Sequence, residues 1–281
     1  MRLPNLSYMM HCGQTRYIQA QYESAEYRNP DLAVSMFLSP RQRLVSYIRG
    51  KLLISRLRIN PFYFYVLART RYYDEVFFDG ICGSVTNIIN IGCGSDTRAY
   101  RYAHILKQKG ISVLECDQED AIYSKQKIAL KNWPTDHIKY VPLDLNMSSW
   151  PDFARLLDEI SNEPVLVMME GVSPYIISES FEAFLKLLAS KLHADSLIAY
   201  DFKIAGISDN LGRTDRVRQP FRLPMAQEEI ALFHNKLGFH IQYLELSSSL
   251  SERLLPGLPH LFKEDCLLRI KPYKQTIKNS R

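Results

Sequence analysis

The residues best suited to chemistry begin at NIINIGCGSDTRAYR, positions 87–101. An apolar stretch ends in Gly92-Cys93-Gly94, and Ser95 or Asp96 follows as a helix N-cap. Glycines at such a point let the backbone turn tightly and approach a ligand. The spacing is not G-x-G-x-x-G, because Thr97 stands at the third position, and no Gly-Lys-Ser/Thr of a phosphate loop follows. A tight turn without any ligand also accounts for the two glycines alone. The next apolar stretch, SVLECD, brings two acids: Glu115, 21 residues after Gly94, and Asp117, 25 after Gly92. Acids here can accept hydrogen bonds from ribose hydroxyls. Either can instead cap the helix expected over 118–130. Further on, YVPLDLNM sets Asp144 beyond a third apolar stretch, suited to an adenine amine, and VLVMMEGVSPY ends in Glu170-Gly171. Burying Glu170 is costly unless a cation or a donor meets it. Its plainer reading is a loop-capping glutamate.

These residues need elements to hold them. From residue 85 short apolar runs alternate with amphipathic stretches. Strands are expected at 85–91, 112–116, 139–141, 165–169 and 196–201, and helices near 97–108, 119–131, 149–160 and 178–191. One more helix near 226–236 and two late strands, near 240–246 and 266–270, complete the pattern. Such alternation predicts an α/β fold with a parallel sheet and helices on both faces. Ligands in such sheets bind at the carboxyl ends of strands where the winding reverses. The first and fourth strand ends should therefore share a pocket. With no third glycine for a pyrophosphate, the ligand that suits this set is a nucleoside without phosphates. S-adenosylmethionine fits that description.

Five pieces in order, Ala68-Arg69-Thr70, NIGCGSDTRAYR, LECD, Asp144-Leu145 and MEGVSPY, resemble the leucine carboxyl methyltransferase family across about residues 65–200. This family is a branch of the class I S-adenosylmethionine-dependent methyltransferases. FLSPRQR also looks like its bacterial, natural-product O-methyltransferase type, whereas the last 80 residues match loosely. The resemblance implies a Rossmann-like fold: a mostly parallel seven-stranded sheet over residues 81–281, with an N-terminal helical cap over 1–80. It implies S-adenosylmethionine as cofactor and S-adenosylhomocysteine as product. By the same resemblance Arg69 pairs with the cofactor carboxylate, and Gly92, with Gly94, lies beneath the methionine part. Asp117 holds the ribose, with Glu115 as the fallback. Asp144 and Leu145 meet the adenine, and Glu170 faces the amine. A basic residue of the N-terminal segment, Arg41 or Arg43, also reaches the cofactor. The implied reaction is methyl transfer to a hydroxyl or carboxylate oxygen of a small molecule, of polyketide or nonribosomal-peptide type. A protein C-terminal carboxylate, or cofactor binding without transfer, are the alternatives.

A carboxylate acceptor needs no base, whereas a hydroxyl needs a proton acceptor. Tyr73, Asp74 and Tyr175 lie near the expected pocket, and none is assigned as that base. Segment 202–225 is polar and basic. Arg213, Arg216, Arg218 and Arg222 could engage an acidic group there, or the segment is a solvated loop.

Composition bounds the remaining classes. The 281 residues are 46% hydrophobic and 23% charged, which excludes collagen, coiled coil and wholesale disorder. Five cysteines form no C-x-x-C pair, and the His and Cys positions suggest no metal site. No apolar run reaches a membrane-span length of roughly 20 residues, and the start lacks the apolar core of a secretory signal. A cytoplasmic protein with reduced thiols is expected. No sequence feature sets an oligomeric state. The net charge of +5 lies in residues 1–80, which hold 11 basic and 6 acidic residues and an aromatic run, Phe62 to Tyr65 with Tyr72 and Tyr73. Single-stranded nucleic acid suits basic-plus-aromatic surfaces. The charge is modest for that, so a helical layer with a buried aromatic face is preferred and no nucleic-acid partner is expected. Residues 41–58 read as one amphipathic helix, with Leu44, Val45, Ile48, Leu52 and Leu57 packed on the protein's core rather than on a membrane.

Overall fold

The computed structural model describes residues 4–160, 162–207, 219–258 and 260–273. Four helices come first: α1 (Pro4–Tyr22), α2 (Pro40–Leu52), α3 (Ile54–Leu57) and α4 (Pro61–Cys82). The α/β alternation follows with β1 (Asn87–Ile91), α5 (Arg98–Arg101), α6 (Ala103–Gln108), β2 (Ser112–Asp117), α7 (Glu119–Asn132) and β3 (Ile138–Pro142). Next come α8 (Pro151–Ile160), β4 (Val165–Met169), α9 (Ser178–Lys191) and β5 (Leu197–Ile204). The chain closes with β6 (Arg222–Leu223), α10 (Gln227–Lys236), β7 (Phe239–Leu246), α11 (Ser247–Leu254) and β8 (Asp265–Pro272).

The strands form one sheet in the order β3-β2-β1-β4-β5-β8-β7, with the two-residue β6 beside β5. β1 to β5 run parallel, and β8 pairs antiparallel with both β5 and β7. The order steps outward in one direction from β1 to β3 and in the other from β4, so the winding reverses between β1 and β4. Every residue of β4, VLVMM, is buried, as a central parallel strand covered on both faces requires.

One face of the sheet carries α8, α9 and α10 through Phe153, Leu157, Phe181, Phe184, Leu188 and Ile230. The other face carries α4, whose Tyr65, Leu67, Tyr72, Val76 and Phe77 share a core with Ile88, Leu166, Met168, Ala199 and Leu267. The aromatic run of residues 62–73 is therefore internal: Phe62, Tyr63, Phe64, Tyr65, Tyr72 and Tyr73 are all buried. α4 begins where Asn60 accepts a hydrogen bond from the Phe62 N–H and Pro61 occupies the first turn.

Segment 41–58 departs from its sequence reading in two ways. It breaks at Leu53, and its apolar row faces outward: Leu44 is 59% exposed, Ile48 43% and Leu52 74%. The buried residues of α2 are Ser46 and Gly50. The cause is the close approach of α1, since a Cβ at Gly50 would stand 2.1 Å from the Tyr22 ring. Only small residues fit that contact, so the large apolar ones turn away. α11 was also not legible. No element is expected over its sequence, SSSLSERL, yet Ser247 donates to the Phe262 carbonyl and Leu250 is buried.

Candidate active site

β1 delivers the chain to the carboxyl edge and turns there. Gly92 and Gly94 have φ of +63° and +40°, and a Cβ on Gly92 would lie 2.4 Å from Val172 Cγ2. Glycine is thus required at 92 both by conformation and by the approach of the β4 end. In the parallel pairing Ile91 stands beside Cys116, so Asp117 is level with Gly92. Its two oxygens are already oriented. Oδ2 accepts the Gly94 N–H at 2.8 Å and Oδ1 accepts the Gln118 N–H at 2.8 Å. Burial pushes the Asp117 carboxyl up, and these two N–H groups pull against that shift.

Beyond β3, Asp144 Oδ1 accepts the Asn146 N–H, and the Asp144 carbonyl takes the Trp150 indole N–H. Asn146 then braces the segment after β4, donating to the Tyr175 carbonyl and accepting from the Ile177 N–H.

The other end of the cleft is ionic. Arg69, from α4, has its Nε 3.2 Å from Glu170 and an Nη 3.6 Å from Asp201. The Nε is buried and completes no hydrogen bond within the protein. Arg98 meets the second Glu170 oxygen at 2.9 Å, and also Asp96 at 2.6 Å and Asp74 at 2.8 Å. Burial pushes the Asp96 carboxyl up, but Arg98, Lys125 and Arg16 together with the Arg98 N–H outweigh it and hold the group well below the usual carboxylate range. Arg16, from α1, pairs with Asp31 at 2.8 Å and donates to the Ser95 hydroxyl and carbonyl. Gly171 has φ +66°, and a Cβ there would sit 3.2 Å from the Arg69 guanidinium. Behind it, Asp201 accepts the Gly171 N–H at 2.7 Å and the Tyr73 hydroxyl at 2.8 Å. Burial raises the Asp201 carboxyl to about 6 against the pull of Arg69.

One cleft joins these features. Arg69, Gly92, Gly94, Asp117, Asp144, Leu145, Glu170 and Tyr175 all line it. The ends of β1 and β4 do share a pocket, and Arg69 and Glu170 stand on the same side of it.

Glu115 does not line the cleft. It is fully buried, one level below Asp117, paired with Lys125 at 2.7 Å and accepting from the Tyr100 hydroxyl at 2.6 Å. Tyr73 is likewise sealed, its hydroxyl committed to Asp201, so it cannot meet an acceptor. Asp74 is held by Arg98 and Arg101. Arg41 and Arg43 are exposed on α2, and neither lines the cleft. The N-terminal basic residue that does is Arg16, which the sequence reading missed. Its signal was faint, a single arginine on a helix with no charge pattern. Asn90 and Asn146 were also missed, whereas Arg98 stood in view within SDTR. Arg213, Arg216 and Arg218 lie outside the described residues, and Arg222 begins β6. Among the described residues no group of His, Cys, Asp and Glu has the arrangement of a metal site. No helix among them is long and apolar enough to cross a membrane.

With this geometry in hand, residues 28–189 match the sequence profile of the leucine carboxyl methyltransferase family, and the chain belongs to that family. It is 25% identical over 163 residues to a Mycobacteroides abscessus protein provisionally named an S-adenosyl-L-methionine-dependent methyltransferase, covering 56% of this chain and 52% of the relative. It is 31% identical over 113 residues to a Mycobacterium tuberculosis protein with the same provisional name, covering 40% of this chain and 35% of that one. The chain spans about half the length of the first of these relatives. Among solved structures, the magnesium protoporphyrin IX methyltransferase of Synechocystis PCC 6803 with bound S-adenosylhomocysteine has a TM-score of 0.47 at 14% identity, covering 82% of this chain and 99% of that one. The mitomycin 7-O-methyltransferase MmcR has a TM-score of 0.44 at 14% identity, covering 96% and 67%. S-adenosylmethionine is the cofactor of this class.

Proposed function

We propose that the chain binds S-adenosylmethionine in this cleft and methylates an oxygen, hydroxyl or carboxylate, of a small molecule. The carrying observation is one cleft with three different ends: the Gly92–Gly94 turn beside Asp117, the Asp144-Leu145 wall, and the ion cluster of Arg16, Arg69 and Glu170. The residues fit the group. Asp117 offers a carboxylate to a ribose diol with both oxygens pre-oriented, and Asp144 and Leu145 offer a polar edge and an apolar wall to adenine. Glu170 offers a carboxylate to an ammonium. Arg69 and Arg16 offer donors to a carboxylate. When bound, the cofactor supplies a methyl group already activated on a sulfonium. The chain's own contribution is orientation of the acceptor oxygen, where alignment alone can be worth several orders of magnitude in rate. Tyr175 is the lining residue with a phenol, and it is the residue to test as a proton acceptor for a hydroxyl substrate.

Calorimetry with S-adenosylhomocysteine tests the binding half, and no heat from folded protein rejects it. A labelled-methyl assay against small-molecule extracts tests the transfer half. The family description favours a second acceptor, so a peptide ending in leucine belongs in the same assay. Label on the peptide alone would replace the small-molecule reading. Binding with no transfer to any acceptor would leave a cofactor-binding protein.

A further inference from the structure

The outward face of α2 has no use in the cleft. Leu44, Ile48 and Leu52 follow one another at four-residue steps and form an exposed aliphatic row, with Tyr47 beside it. The exposed Leu53 and Ile59 continue the apolar surface past the break at α3. Such contiguous exposure is unusual for a surface with no partner. The tight contact of α2 with α1 is made at Gly50, against the Tyr22 ring, which leaves this row outside it.

The charge around this row has one sign. From Leu32 to Tyr73 the chain has no acidic residue, and α2, α3 and the turn after them carry Arg41, Arg43, Arg49, Lys51, Arg56 and Arg58. Arg58 is paired with Glu23. Arg41, Lys51 and Arg56 are exposed and form no ion pair among the described residues. A protein interface core favours aromatic anchors and few charges. Aliphatic tips rimmed by unpaired basic side chains, whose stems can extend along the apolar row, match an interfacial helix instead.

We propose that α2 and α3 form a docking surface for a bilayer with anionic headgroups. Leu44, Ile48 and Leu52 enter the boundary between headgroups and acyl chains, and Lys51, Arg56 and Arg41 meet the phosphates. This proposal does not depend on the acceptor assigned above.

The test is co-sedimentation of the full chain with phosphatidylcholine vesicles, with and without phosphatidylglycerol. Binding is expected to the anionic vesicles, to fall as salt rises, and to be far weaker to phosphatidylcholine alone. Leu44→Ser with Leu52→Ser should abolish it. Lys51→Gln with Arg56→Gln should weaken it about 25-fold, taking about fivefold per basic side chain near such a surface. All these positions are exposed and outside the cleft, so S-adenosylhomocysteine binding by each variant should match that of the parent chain. That measurement reports folding and separates failure here from failure of the proposed cofactor. No binding to anionic vesicles, or binding that these substitutions leave unchanged, overturns the proposal. A dimer in solution that Leu44→Ser with Leu52→Ser dissociates also overturns it, in favour of a second copy covering the row.

Discussion

Glu115 and Asp117 are two residues apart on β2, so both project from the same face of the sheet. Glu115 stands level with Asn90, inside the sheet, under Tyr100 and Lys125. Asp117 stands at the carboxyl edge, level with Gly92, and opens on the cleft. The first is a closed ion pair, and the second is a carboxylate with backbone N–H groups on both oxygens and room for a ligand. Residue type does not separate them, and neither does burial, since both are buried. Depth along the strand does.

The sharpest way to break this contrast is to remove the partner of the closed pair. Lys125→Met leaves Glu115 buried without its cation and should cost about 3–5 kcal/mol of stability in denaturant unfolding. Lys125→Met combined with Glu115→Leu should recover most of that loss. Neither change should much alter S-adenosylhomocysteine affinity while the protein is folded. A comparable loss of affinity would mean that Glu115 serves the cleft after all.

Asp201 is an intermediate case, sealed from water yet bonded to Gly171 and Arg69 at the cleft. Its carboxyl titrates at about 6 in the folded protein against an ordinary value of 3.8. Between these values the folded state binds more protons than the unfolded chain. Stability from this group therefore falls as pH rises through that window, by at most about 3 kcal/mol. Asp201→Asn should flatten that part of the pH–stability curve, and an unchanged slope would assign it to another group.

Asp117→Asn keeps the shape and removes the charge. It should weaken S-adenosylhomocysteine binding by roughly 10- to 100-fold, the worth of a hydrogen bond to a charged group, with a much smaller effect on stability. Equal effects on both would make Asp117 a second Glu115. The smallest effect belongs to the two tyrosines. Tyr73→Phe removes one donor from Asp201 and should cost about 1 kcal/mol of stability. Tyr175→Phe should show itself in methyl transfer to a hydroxyl acceptor.

The α/β alternation was legible because each strand of the sheet is a short apolar run bounded by a turn. β4 and α9 fall where their patterns place them. The cleft was legible where a residue type marks a strand end, as at Gly92, Asp144 and Glu170. It was illegible where register decides, as between Glu115 and Asp117, and where distant helices contribute. Arg16 reaches the cleft because α1 crosses the loop after β1, and its spacing along the chain carries no trace of that. A second contact of α1, Tyr22 against Gly50, inverted α2. Amphipathic periodicity shows that a helix has two faces, and the residues on the neighbouring helix decide which one is covered.

The α4 helix has a consequence for dissection of the molecule. Its apolar side chains are shared with β1, β4, β5 and β8, and its Tyr73 and Arg69 attend to a carboxylate within β5, level with the end of β4. A fragment beginning at residue 81 would carry the glycine turn and Asp117, yet bare the part of the sheet that α4 covers and strand Asp201 without its counter-ion. Truncation at that point should yield aggregated or molten material, and the intact chain should melt the two stretches in a single transition.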